Sequence, residues 1–146
     1  GDSVLHIVAQ PLPPGEVTIR VDDAARRLHS RLHSAGHLIG LAGEGAGWHP
    51  IKAHHWPGEG RITFTATAPA IVPEASALLA TIAGWQAENL PRHLAYEDGL
   101  RQVRFGPLPA YPCGGTHVAS LSELGVVTIT QVKIKKGQLI VSYTLE

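Results

Sequence analysis

One cysteine in 146 residues cannot close a disulfide within the chain. That excludes a disulfide-stapled scaffold, and a free thiol suits a reducing compartment, for which the expectation is the cytoplasm. Methionine is absent, so Gly1 reads as a processed or tag-derived start and is set aside from the fold. No apolar run approaches the roughly 20 residues of a membrane helix, and no basic-then-apolar leader opens the chain. An excess of charge of either sign is missing too, with 12 basic residues against 12 acidic ones. A balanced molecule has no global nucleic-acid footprint, so any contact with a polyanion falls to local patches. The candidates are Arg26, Arg27 and Arg31 early in the chain, and Lys133, Lys135 and Lys136 near its end.

What is present suits a single domain spanning residues 1–146. The hydrophobic content of 44% is ordinary, and a chain of this length buries roughly 68–70% of its unfolded surface. Residues 1–14 read as a short strand, Val4 to Val8, and a proline-rich connector. Glu16 to Val21 alternates as a strand does, and Asp22 or Asp23 can cap the helix after it. That helix runs to about Ala42, with Leu28, Leu32, Ala35 and Ile39 as an apolar stripe. His29, His33 and His37 fall roughly opposite.

Two strands, Pro50 to His55 and Arg61 to Thr67, flank Trp56-Pro57-Gly58-Glu59-Gly60. A second helix starts near Pro73 and ends near Asn89, before Pro91. Arg92 to Phe105 is one or two strands broken at Glu97-Asp98-Gly99, and Val126 to Leu145 is a hairpin around Lys136-Gly137. Two long helices with hairpin-connected strands predict an α+β fold, the helices packed on an antiparallel sheet.

Chemistry concentrates in two places. In His33-Ser34-Ala35-Gly36-His37 the histidines are four apart and share a helix face. In Cys113-Gly114-Gly115-Thr116-His117 the same step joins the lone cysteine to another histidine. Three imidazoles and a thiolate are a credible tetrahedral zinc set. Four protein ligands point to a structural metal, because catalytic zinc keeps one position open. Ser34 beside the histidines, and the backbone N–H groups of Gly114, Gly115 and Thr116, point instead to a reacting site. Gly36 costs about 1 kcal/mol against alanine in a helix interior, which suggests that something approaches it closely. His54 and His55 are adjacent and face opposite ways in a strand, so they do not readily share one site.

The two motifs, H-S-A-G-H and C-G-G-T-H-V, resemble the signature of the alanyl-tRNA synthetase editing domain and its free-standing AlaX relatives. Threonyl-tRNA synthetase carries a similar domain. The likeness runs from about Gly15 to the C-terminus, including Leu28 to Leu41, the hairpin around Trp56 and Glu123-Leu124-Gly125. It implies the α+β editing-domain fold in a minimal form, or a piece of a longer protein, since Val4 to Pro14 is too short for the barrel of longer members.

The resemblance also implies zinc held by His33, His37, Cys113 and His117. The activity implied is hydrolysis of mischarged tRNA(Ala), chiefly seryl-tRNA(Ala) and sometimes glycyl-tRNA(Ala), bound by its acceptor end. Ser34 then reads the serine hydroxyl. From the residues themselves, Gly114, Gly115 and Thr116 form the cradle for a substrate oxygen, and His29 is the candidate for a base. The alternatives are a zinc-stabilised tRNA-binding module without hydrolysis, and a metal-dependent esterase for some other small ester.

Overall fold

A computed structural model describes residues 5–67 and 69–146. Helix α1, Asp23–Glu44, begins where Asp22 accepts a hydrogen bond from the Ala25 N–H at 2.9 Å. This satisfies one of the donors that a helix N-terminus leaves free. Its buried side carries Leu32, Ala35, Leu38 and Ile39. Burying a side chain such as Leu38 or Ile39 stabilises the fold by roughly 1.5–3 kcal/mol. Near the helix end, a β-carbon on Gly43 would lie 2.4 Å from the ring of Phe64, so the missing side chain lets the sheet come close.

Strands β1 (Trp48–His54) and β2 (Gly60–Ala66) form the first hairpin. Helix α2, Ala75–Ala87, buries Leu78 and Ile82. It starts two residues later than Pro73, with Glu74 at its N-cap. Strands β3 (Arg92–Glu97) and β4 (Leu100–Phe105) turn at Asp98-Gly99, and β6 (Val127–Lys135) and β7 (Gln138–Leu145) turn at Lys136-Gly137. All four turn residues have positive φ, the backbone of a two-residue hairpin loop that matches strand twist. Between them lies a short β5, Tyr111–Pro112.

The architecture is α+β, but with two antiparallel sheets where one was expected. The larger has the order β1-β2-β7-β6, and the smaller β3-β4-β5. Helix α1 lies on the larger sheet, over the fully buried Phe64, Leu139, Val141 and Tyr143. β5 on the smaller sheet then delivers the second motif to the helix.

The two N-terminal strands are not found. Of the Val4 to Val8 stretch, Val4 lies outside the described residues and 5–8 have no regular structure. Glu16 to Val21 is likewise irregular, with Val17, Ile19 and Val21 exposed. Alternation creates a strand only when a neighbouring edge accepts its hydrogen bonds, and no described strand pairs with this segment.

Candidate metal centre

The helix and the loop bring the two motifs together. Ligand atoms of His33, His37, Cys113 and His117 all lie within 4.8 Å of one another. The rings of His33 and His37 are 5.0 Å apart, and His117 sits 4.3 Å from the first and 4.7 Å from the second. Cys113 Sγ is 3.4 Å from His33 Nε2.

The loop is held by groups outside the motif. The Arg101 guanidinium donates to the carbonyls of Cys113, at 2.8 Å, and Gly115. Arg92 donates to the His117 carbonyl at 2.7 Å. Charge-assisted bonds of this kind are stronger than neutral ones, so two arginines fix the loop's path. Gly115 is packed against His33: a β-carbon there would lie 2.1 Å from the imidazole Cε1. Gly114 is exposed and a β-carbon would meet nothing, so its contribution is confined to the backbone.

Hydrogen bonding fixes which imidazole atom is available. His117 Nδ1 lies 3.1 Å from the Gly115 carbonyl, which only accepts, so Nδ1 carries the proton. Nε2 is then a bare lone pair, and it is buried without a hydrogen-bond partner among the described residues. A buried acceptor left unmet costs about 1–3 kcal/mol, and a cation among these donors removes that cost. Burial lowers the pKa of His37 to about 3, helped by the charges of His33 and His55. Burial likewise brings His117 to about 3, with His37 and His33 adding to the effect. Burial also lowers His33, while a backbone hydrogen bond with Thr116 works the other way. Neutral imidazoles are ligand-ready.

The donor set fits zinc, and one donor pair already has the spacing of a tetrahedral site. With bonds of about 2.0–2.1 Å to nitrogen and about 2.3 Å to sulfur, tetrahedral donors stand roughly 3.3–3.6 Å apart. The sulfur–imidazole distance falls in that range.

Ser34 is not at the opening. It is fully buried; its hydroxyl donates to the Ser30 carbonyl at 2.8 Å and accepts from the Val118 N–H at 3.1 Å. These contacts make it a tie between helix and loop, because a hydroxyl one residue past His33 turns towards the core. Its position four residues before the buried Leu38 is the signal that points to this. Thr116, in contrast, is exposed beside a cavity.

His55 is the residue that sequence reasoning undervalued. The two adjacent histidines do diverge. His54 pairs outward with Glu59 at 3.0 Å, while His55 lies 4.6 Å, ring to ring, from His33. Tyr143 donates its hydroxyl proton to the Leu32 carbonyl at 2.9 Å and so accepts from His55 Nδ1 at 2.7 Å. His55 therefore keeps Nε2 as an acceptor. Burial, then the charges of His33 and His54, lower its pKa to about 4. His29 instead packs edge-on against Trp56, ring centroids 5.1 Å apart, and His49 pairs with Glu44 at the surface.

Two cavities meet at His33 and His55. One, about 300 Å³, is floored by Gly36 and Gly40 and walled by Pro50, Ile62 and Tyr111. The other, about 410 Å³, is bounded by His29, Trp56, Gly115 and Thr116. No helix among the described residues is long and apolar enough to cross a membrane.

Residues 100–140 match the family model described as the threonyl and alanyl tRNA synthetase second additional domain. An alanine–tRNA ligase from Frankia casuarinae is 31% identical over 169 residues, covering 93% of this chain. The chain spans 18% of that ligase's length. The matched residues contain the cysteine motif, β6 and the start of β7, while the wider alignment takes in nearly all of the chain. With its two candidate donor sets converged, the chain is similar to the second additional domain of the threonyl- and alanyl-tRNA synthetases.

Proposed function

We propose that this chain is a zinc-dependent hydrolase that deacylates mischarged tRNA(Ala), chiefly seryl-tRNA(Ala) and also glycyl-tRNA(Ala). In this reading residues 1–146 act as one deacylase domain in the cytoplasm. The observation that carries it is the buried His117 Nε2, without a partner among the described residues, grouped with His37, Cys113 and His33, the last of which lines both ligand-sized cavities. The family likeness supplies the substrate class.

Zinc held by these four residues would supply positive charge to orient the aminoacyl ester or terminal ribose. The residues of the chain do the rest. The junction of the two cavities, beside His33 and His55 and open towards Thr116, takes a small aminoacyl side chain. His55 Nε2, unprotonated and fixed by Tyr143, accepts a hydrogen bond from the attacking water. The exposed Thr116 hydroxyl and the backbone N–H groups of Gly114 and Gly115 lie where they can meet substrate oxygens. A second site of this sort restores fidelity when a synthetase pocket cannot exclude a near-isosteric amino acid.

One observation favours the second reading, a zinc-stabilised tRNA-binding module. Four protein donors already complete a tetrahedron, as in structural sites. Deacylation of seryl-tRNA(Ala) with and without chelator, followed alongside circular dichroism, separates the two. Hydrolysis lost from a protein that stays folded supports the enzyme. A zinc-loaded protein that binds tRNA but never hydrolyses it supports the module.

A further inference from the structure

Beside the metal centre, two features lie next to each other and neither is used by the donor set. The first is Trp56, 61% exposed, at the lip of the 410 Å³ cavity. His29 props it edge-on from helix α1, which leaves an aromatic face over an opening that also contains Thr116.

The second is a cleft of cations on the other side of Thr116. A cavity of about 320 Å³ is lined by Arg26, Arg92, Arg101 and Thr116, and it adjoins one of about 560 Å³ that adds Arg27 and Arg31. Asp23 and Glu123 are the carboxylates there. Among the described residues the Glu44 and Glu59 carboxylates pair with His49 and His54, and no side-chain carboxylate lies within 4.0 Å of these guanidiniums. Arg31, Arg92 and Arg101 each donate to backbone carbonyls, whereas Arg26 and Arg27 are exposed and make no side-chain hydrogen bond among the described residues. Five cations against two anions form a local positive field in a molecule of zero net charge.

We propose that this is a nucleotide subsite, in which Trp56 stacks on a terminal base and the arginine cleft takes the neighbouring phosphates. It deepens, and rests on, the deacylase reading, because it says how the acceptor end is held while the ester sits at the metal. An aromatic face and a phosphate-binding cleft that share one threonine match the repeat of a single strand, one planar base and one anion. The lysine patch does not serve this site. Lys133 pairs with Ile140 and Lys135 with Gln138, on the face opposite the buried Leu139 and Val141. Helix α1 and the metal donors lie on the buried side.

The test is binding of an uncharged, single-stranded RNA ending in CCA to the zinc-loaded protein, by fluorescence anisotropy across a salt series. Trp56→Ala should weaken binding roughly tenfold, the loss of one stacked base, with an unchanged salt slope. Trp56→Phe should restore most of it. Arg26→Glu with Arg27→Glu should weaken binding and flatten the salt slope, by roughly 0.7 for each phosphate no longer neutralised. Reversing Lys133, Lys135 and Lys136 together should weaken it less. Zinc content and circular dichroism of each variant guard against misfolding. Wild-type affinity in both the Trp56 and the arginine variants overturns the subsite, as does equal affinity for polyglutamate. Because the probe carries no ester, those results leave deacylation, measured in parallel on seryl-tRNA(Ala), to stand or fall on its own.

Discussion

Gly36 and His55 are in such close contact that a β-carbon on the glycine would lie 2.3 Å from the imidazole Cε1 and 2.5 Å from Nδ1. The same position is 2.8 Å from the Tyr143 hydroxyl. The glycine between the helical histidines thus leaves room for a histidine from β1's end and the tyrosine that orients it. Here a weak point in a helix serves the site.

Gly36→Ala should therefore destabilise the protein although alanine is the better helix former. The propensity gain is about 1 kcal/mol, while overpacking of a filled site costs typically about 1–3 kcal/mol. His55 cannot swing away without giving up its bond to Tyr143. Thermal melts of wild type and variant decide the sign. A raised midpoint with the His55–Tyr143 bond intact would sink the idea.

One zinc per chain is expected, and His117→Ala should abolish stoichiometric binding. His117 contributes a deprotonated Nε2 that no group among the described residues satisfies. X-ray absorption should give nitrogen ligands at about 2.0–2.1 Å and one sulfur at about 2.3 Å. A zinc shell without sulfur would remove Cys113 from the set.

Much of this site can be read from the sequence, because spacing of four on a helix and a lone cysteine are local signals. The cap at Asp22 and both positive-φ hairpin turns are local as well. What is not local is less legible. Residues 16–21 alternate as well as β7 does, yet they meet no strand edge. Opposed faces follow from the adjacency of His54 and His55, but which one points inward depends on where helix α1 lies. β5 is two residues long and exists only because β4 offers it an edge. Arg92 and Arg101 look like ordinary strand cations until their carbonyl partners appear.

In metal-free protein, stability should fall as the pH drops below the ordinary histidine range. His37 and His117 have folded pKa values of about 3, and His55 about 4, below the ordinary histidine value of 6.5. Between those values the unfolded chain binds more protons, so unfolding becomes easier with acid. Stability is full above about pH 6.5 and declines towards pH 3–4. Urea midpoints of the chelated protein from about pH 8 to about pH 4 test this, and a flat profile would mean that these histidines are solvated.

On the proposed deacylase reading, discrimination between seryl- and alanyl-tRNA needs a group that rewards the serine hydroxyl, since a size filter admits alanine more easily. A hydrogen-bonding partner that is lost on the wrong substrate can supply large ratios. The sequence offers Ser34 and Thr116 for this task. Ser34 is fully buried, bonded to the Ser30 carbonyl and the Val118 N–H, and so has no route to a substrate in the cavity. Ser34→Ala should leave the Val118 N–H unpaired, costing about 1–3 kcal/mol of stability, with the substrate ratio little changed. Thr116 is exposed at the 410 Å³ cavity, which it lines together with Gly115 and the candidate ligand His33. Thr116→Val keeps the shape and removes the hydroxyl, so it should lower the preference for seryl-tRNA while fold and zinc are retained. Single-turnover deacylation of both substrates by the two variants measures the ratio directly. A drop confined to Ser34→Ala would return the role to the helix and imply that the loop moves away from Ser34 when substrate binds.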